Sequence, residues 1–287
     1  MALDQDKQRI ILAVLAHPDD ESFGMGGTLA KYAEEGVEIH LICATRGEVG
    51  EMPEDCLDQG QTIADRREQE LRCAARELGI SRLHMLDYRD SGMLGSPENQ
   101  HPRALINASE AEVTARVKEI MQKVKPQVVL TFDPIGGYRH PDHIAMHKAA
   151  RDSFFSLAAE QQNAPESDRY LKRLYYHTIS RRFIRLNVRI LRLLGKDPSR
   201  WGKNQDIDLT QLAVDDFPTH ARINYKSVAD KKSRAAACHA SQGGGGFTKG
   251  YLRWFLWLMG VRDQDDFMQA FPEPENGRLD RDLFSGI

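Results

Sequence analysis

The chain has 287 residues, a formal net charge of −3, and 41% hydrophobic and 28% charged residues. These values suit a soluble globular protein with ample material for a core, and a near-balanced charge implies no general attraction to nucleic acid. No apolar stretch approaches the roughly 20 residues of a membrane-spanning helix, and the start Met1-Ala2-Leu3-Asp4 lacks the features of a secretory signal. Cys43, Cys56, Cys73 and Cys238 are scattered without a CxxC pair. The expectation is therefore a cytoplasmic protein with no disulfide framework, in which any metal is held by nitrogen and oxygen.

Ile10 to Ala16 is a short, nearly continuous apolar run, as in a strand buried on both faces. A helix is expected from about Gly26 to Glu35, stopped by Gly36, then a strand from Val37 to Ala44. Thr62 to Leu78, stopped by Gly79, predicts a second helix, and Leu83 to Leu86 a third strand. Val113 to Val124 reads as a helix, Val128 to Phe132 as a strand, and His143 to Ala158 as a helix. This βαβ rhythm argues for a parallel sheet flanked by helices, with right-handed crossovers. Ligands of such sheets bind beyond the carboxyl ends of the strands. The polar loops at about 46–61 and 88–110 leave strand ends and could cover that crevice. Further on, Arg173 to Thr178 and His220 to Tyr225 are candidate strands and Ser227 to Ala240 a helix. No repeat or convincing linker divides the chain, so one domain over 1–287 is expected, with its catalytic core at about 8–160.

Directly after the first strand stands Ala16-His17-Pro18-Asp19-Asp20-Glu21. Three carboxylates packed here without a counter-charge would repel one another, and a divalent cation resolves the conflict. His17 and Asp20, three apart around Pro18, can be brought to one point by a turn, with Asp19 left free as a general base. The plainer reading is a helix start, with Asp20 or Ser22 as cap and Glu21 at the positive end of the dipole.

After the Val128–Phe132 strand stands Gly136-Gly137-Tyr138-Arg139-His140-Pro141-Asp142-His143. Catalytic zinc usually has three protein ligands and an open position, and one of these histidines would complete the set begun by the first cluster. The two glycines would let the loop approach a ligand closely. A lone histidine here would be an ordinary polar cap. Two His/Asp clusters, each after a different parallel strand, point instead to metal.

The unbroken AHPDDE at 16–21 and HPDH at 140–143 resemble the signature pair of the PIG-L/LmbE-like deacetylase family. Shorter matches resemble its members in mycothiol metabolism: Thr45-Arg46-Gly47-Glu48, Arg67 with Glu70-Leu71, and Tyr88 to Met93. Asp133-Pro134 with Gly136-Gly137-Tyr138, and Lys232 with Ala236, His239, Ser241 and Gln242, extend the likeness. The resemblance is good over roughly 8–150 and returns near 226–242. It implies an α/β, Rossmann-like three-layer sandwich with a mostly parallel sheet, and a Zn2+-dependent hydrolase that removes an N-acyl group. The implied substrate is an amino-sugar glycoside such as N-acetylglucosaminyl-inositol or -malate.

By similarity, His17, Asp20 and His143 bind one Zn2+ per chain, with Fe2+ as another metal that an N/O site suits. Asp19 would be the general base. His140 would act at the developing oxyanion or as general acid, with Asp142 orienting it, and Tyr138 would help polarise the carbonyl. Arg67, Asp90 and Glu48 would grip sugar or cyclitol hydroxyls. Arg139 departs from the small residue expected there and could alter the pocket rim or meet an anionic substrate.

Two alternatives stand beside this reading. One is an amidase of larger thiol S-conjugates. The other is a non-catalytic Rossmann-like binding protein, disfavoured because His17-Pro18-Asp19-Asp20 occupies the place of a GxGxxG turn. The expected partner is a small N-acyl amino sugar, with no nucleic acid and no membrane span. Arg181 to Lys196 reads as a surface helix with its apolar side on the core, although it could join a homo-oligomer interface. Tyr251 to Met259 reads as a buried helix, His239 as structural, and His147 as outer-shell at best.

Overall fold

The computed structural model describes residues 8–179, 181–200, 207–244, 263–275 and 277–287. The Tyr251–Met259 segment lies outside the described residues.

The apolar runs that precede the two His/Asp clusters become neighbouring central strands. β1 (Ile10–Leu15) pairs in parallel with β4 (Val128–Phe132), with Ile11 opposite Val128 and Ala13 opposite Leu130. On its other side β1 pairs with β2 (Glu38–Thr45), which pairs with β3 (Arg82–Tyr88). Beyond β4 come β5 (Arg173–Thr178), parallel, then β7 (Gln264–Phe271), antiparallel to both its neighbours, and β6 (Ala221–Asn224) at the edge. The order β3-β2-β1-β4-β5-β7-β6 reverses its direction of travel between β1 and β4. That reversal leaves a crevice at the carboxyl ends of those two strands.

The connecting helices follow the local signals. Between β1 and β2 lie the four-residue α1 (Asp20–Phe23) and α2 (Gly26–Glu34). α3 (Ile63–Leu78) begins with a capping box, in which the Thr62 hydroxyl accepts the Asp65 N–H and the Asp65 carboxylate accepts the Thr62 N–H. It ends at Gly79, whose φ of 75° only glycine adopts freely. α4 (Glu110–Val124) starts earlier than its apolar periodicity suggests, because its first turn is acidic and solvated. A short turn, α5 (Gly136–Arg139), leads into α6 (Pro141–Gln161), with Pro141 in the first helical position. Right-handed crossovers place α2 and α3 on one face of the sheet and α4 and α6 on the other.

After β5, α7 (Arg181–Leu193) buries Ile184, Val188 and Leu191, while Leu193 is exposed, as a surface helix does. Ile184 and Val188 pack with Leu212 of the short α8 (Leu209–Leu212). α9 (Ala229–Cys238) packs against α2 and α3.

The cysteine expectation needs correction. Cys73 of α3 and Cys238 at the end of α9 form a disulfide, with an S–S distance of 2.08 Å and Cα atoms 5.8 Å apart. The partners are 165 residues apart in the chain, so their spacing carried no sign of the pairing. Among the described residues, no helix is long and apolar enough to cross a membrane.

β7 was not foreseen, and its sequence explains why. Gln264-Asp265-Asp266 opens a central strand with carboxylates that only distant partners make tolerable. Asp266 pairs with Arg222 through two contacts of 2.6 and 2.9 Å. Asp265 accepts the backbone N–H and hydroxyl of Thr28, in the first turn of α2, and the Lys232 ammonium. It thereby caps α2 from another element. Asp265→Ala removes the acceptor of both Thr28 donors and the carboxylate that faces Lys232, so a loss of about 3 kcal/mol is expected. Urea denaturation measures it, and a loss below about 1 kcal/mol would mean that Asp265 does not anchor α2.

Candidate functional site

The chain that leaves β1 turns back on itself at once. Asp20 Oδ2 accepts the backbone N–H groups of His17 (2.7 Å) and Ala16 (3.2 Å), which fixes its carboxylate at the strand end. From β4, the Gly136–Gly137 turn delivers His143 to the same point. Gly136 has a φ of 67°, and a Cβ there would lie 2.9 Å from the His143 Cβ. Gly136 thus serves the approach of the turn to α6, while Gly137 lines one of the cavities described below. Asp133 at the end of β4 accepts the Gly137 N–H (2.7 Å) and lies 3.5 Å from the Arg181 guanidinium.

His17, Asp20 and His143 meet. His17 Nδ1 lies 3.2 Å from His143 Nε2, which lies 3.2 Å from Asp20 Oδ1; His17 Nδ1 is 3.7 Å from Asp20 Oδ2. The outer nitrogen of each ring is occupied. His143 Nδ1 donates to the Gly136 carbonyl (3.2 Å), and His17 Nε2 faces carboxylate oxygens of Asp142 (3.1 Å) and Asp90 (3.4 Å). Such partners hold the proton on the outer nitrogen and leave the inner lone pair free. Two imidazole lone pairs and a carboxylate then converge on one place. That is a donor set suited to a divalent cation. Phe132 stacks on the His143 ring, with centroids 4.0 Å apart, and fixes its plane. Ring nitrogens of His17, His140 and His143 also lie within 4.8 Å of one another, as do donor atoms of His17, Asp90 and Asp142. All of these except Asp20 are buried.

Asp19 stands beside this cluster, with its Oδ2 2.9 Å from the Arg67 guanidinium. Burial pushes its carboxyl up to about 6, against the opposing pull of Arg67. It is thus ionised at neutral pH yet basic enough to accept a proton. His140 caps α6, its Nδ1 accepting the Asp142 N–H at 3.2 Å, so its proton sits on Nε2. Burial, and then the neighbouring His17 and His143, hold the His140 imidazole well below its usual pKa. It is a neutral hydrogen-bond donor.

Some expected contacts fall elsewhere. Asp142 was expected to orient His140, but its carboxylate faces His17 and accepts the Ser91 N–H (2.9 Å); only its backbone touches His140. Glu48 accepts the Asp90 N–H (3.0 Å) and so supports the Asp90 loop. Arg139 lies 2.6 Å from Asp215, which neutralises the cation that set it apart from the family pattern. His147 donates to the Phe132 carbonyl, away from the cluster. His239 is fully buried against Glu21, 2.7 Å away; nothing local in the sequence announces that pairing across 218 residues.

Two cavities adjoin the cluster. One, of about 570 Å³, is lined by His17, Arg67, Asp90, His140, Ser241 and Gln242, with Gly50 and Met93 from the two polar loops. The other, of about 520 Å³, is faced by Asp20 and His143 and walled by Leu15, Phe23, Met25, Phe132 and Tyr225. Asp19 and Tyr138 line both. Tyr138 packs against His143 (ring centroids 4.9 Å apart) and His140 (5.9 Å).

Likeness to known proteins agrees with this geometry. The family model described as PIG-L, GlcNAc-PI de-N-acetylase, matches residues 12–154. A 1D-myo-inositol 2-acetamido-2-deoxy-alpha-D-glucopyranoside deacetylase from Geodermatophilus obscurus is 36% identical over 245 residues, which cover 82% of this chain and 83% of the relative. One of the same name from Nocardiopsis dassonvillei is 32% identical over 96% of this chain and all of its own length. Among solved structures, the fold resembles a 4-carboxy-2-hydroxymuconate hydratase from Pseudomonas putida, with a TM-score of 0.59, 18% identity, and coverage of 93% of this chain and 98% of that one. It also resembles the N,N'-diacetylchitobiose deacetylase of Pyrococcus horikoshii, with a TM-score of 0.55, 21% identity, and coverage of 91% and 83%. A hydratase on the same architecture means that the fold alone does not select the reaction. Near-full-length identity above 30% and the matched family model do select the lineage: the chain belongs to the PIG-L deacetylase family.

Proposed function

We propose that this chain, acting as one catalytic unit, hydrolyses the N-acetyl amide of a small amino-sugar glycoside, with N-acetylglucosaminyl-inositol as the first candidate. In this reading His17, Asp20 and His143 hold one zinc ion. The observation that carries it is the convergence of two imidazole nitrogens and a carboxylate beside a separate carboxylate, Asp19. The names of the relatives supply the substrate class.

When bound, a divalent cation supplies an acidified water and polarises the amide carbonyl. The residues of the chain do the rest. Asp19, with a carboxyl near 6, takes a proton from the attacking water and returns it to the departing amine. His140 presents Nε2–H to the oxygen that gains charge, as an oxyanion donor. Tyr138, at the junction of the two cavities, closes over the same oxygen. Arg67 and Asp90, in the more polar cavity, meet sugar or cyclitol hydroxyls. The acetyl group then faces the apolar cavity.

That second cavity favours one further reading. Its volume of about 520 Å³ far exceeds an acetyl group, so an amidase of larger N-acyl conjugates is the competitor. Acetate release from N-acetylglucosaminyl-inositol or -malate, compared with turnover of thiol S-conjugates, separates the two. Failure on every N-acyl amino sugar would remove both.

Asp19→Ala is expected to retain metal and lose about 100- to 10,000-fold in kcat; full activity in this variant would overturn the base assignment. His17→Ala and His143→Ala are expected to lose metal during gel filtration, as measured by elemental analysis, and unchanged metal content in both would relocate the site. Chelation is expected to abolish activity, and a titration of zinc against ferrous iron identifies the metal that restores it.

A further inference from the structure

Behind Asp19 lies an ionic pair for which the reaction has no direct use. Glu21 and His239 are both 0% exposed, with Oε1 2.7 Å from Nε2. Removing such a pair from water is costly, and their mutual attraction offsets that only when the geometry is good. The His239 Nδ1 has no hydrogen-bond partner, a further cost of about 1–3 kcal/mol. A fold gains little stability from this arrangement, so where its hydrogen bonds lead is informative.

They lead to the proposed base. Glu21 Oε1 accepts the Ser22 hydroxyl (2.6 Å), and Glu21 Oε2 accepts the backbone N–H of Asp19 (3.0 Å). Asp19 sits at φ 124° and ψ −28°, a conformation that side-chain-bearing residues rarely adopt and that costs about 1–3 kcal/mol. Its carboxylate is held at the far end by Arg67, 2.9 Å away. The strained residue is thus gripped at its backbone by Glu21 and at its tip by Arg67.

His239 is fixed in turn. The Cys73–Cys238 disulfide ties the preceding residue to α3. Its carbonyl accepts the Gly244 N–H (3.0 Å), and Glu70 of α3 accepts both the Ser241 N–H (3.0 Å) and its hydroxyl (2.7 Å). The turn that carries the imidazole is a rigid mount.

We propose that Glu21 and His239 are positioning residues for the reaction: the buried pair keeps the strained Asp19 backbone in place, so that its carboxylate faces the attacking water. This rests on the reading of Asp19 as general base. Glu21 also follows Asp20 in the chain, so an effect through the metal site must be separated from an effect through Asp19.

The test is a double-mutant cycle on the metal-loaded full chain, with metal content, kcat and KM measured for each variant. His239→Ala is expected to keep its metal and nearly its KM while kcat falls about 10- to 100-fold, the scale of a small misplacement of a reacting group. His239→Gln, which can return a donor to Glu21, recovers most of the loss. Glu21→Gln reproduces the kcat loss and serves as the second variant should His239→Ala fold poorly. In an Asp19→Asn background, His239→Ala changes the residual rate by less than about twofold, because a residue that acts through Asp19 has nothing left to act on. Equal losses in both backgrounds, a wild-type kcat for His239→Ala and Glu21→Gln, or loss of metal in either variant would overturn this inference alone. Full activity of Asp19→Asn would overturn the base reading itself, and this inference with it.

Discussion

Two imidazole lone pairs and a carboxylate are forced into one small space, and much of the surrounding structure serves to keep them there. The Gly136 carbonyl holds one ring, Asp142 and Asp90 hold the other, and the backbone amides of Ala16 and His17 hold Asp20. None of these constraints would matter without the parallel pairing of β1 and β4, which sets two strand ends side by side although the residues that follow them are over a hundred positions apart. The reversal of strand order at that point opens the space above them. Sheet topology and the donor cluster here are one arrangement.

Much of this was legible in the sequence, for identifiable physical reasons. β1 and β4 are buried on both faces, so their apolar runs stand out, and motifs directly after such runs fall at the crevice. α3 announces itself through Thr62 and Gly79. What stayed hidden depends on partners far away in the chain. β7 looks polar because Asp265 and Asp266 find their cations only in the folded state. The Cys73–Cys238 bond and the burial of His239 against Glu21 are likewise long-range. Asp142 shows a subtler limit. The family resemblance suggested His140 as its partner, whereas the first turn of α6 points its carboxylate at His17.

The likeness to a hydratase and to a deacetylase shows one architecture shared by proteins named for different reactions. The sheet and its helices are a common frame, so the reaction has to be argued from side chains and not from the fold. Arg139 illustrates how a local departure can find its partner within the chain. Its left-handed backbone (φ 69°) turns it to Asp215, so the added cation meets a carboxylate of the chain itself.

Because Asp19 and Tyr138 line two cavities rather than the bottom of one, an amide hydrolysed as proposed above would have its two halves against different walls. The size limits on the acyl and amine halves would then be set independently of each other.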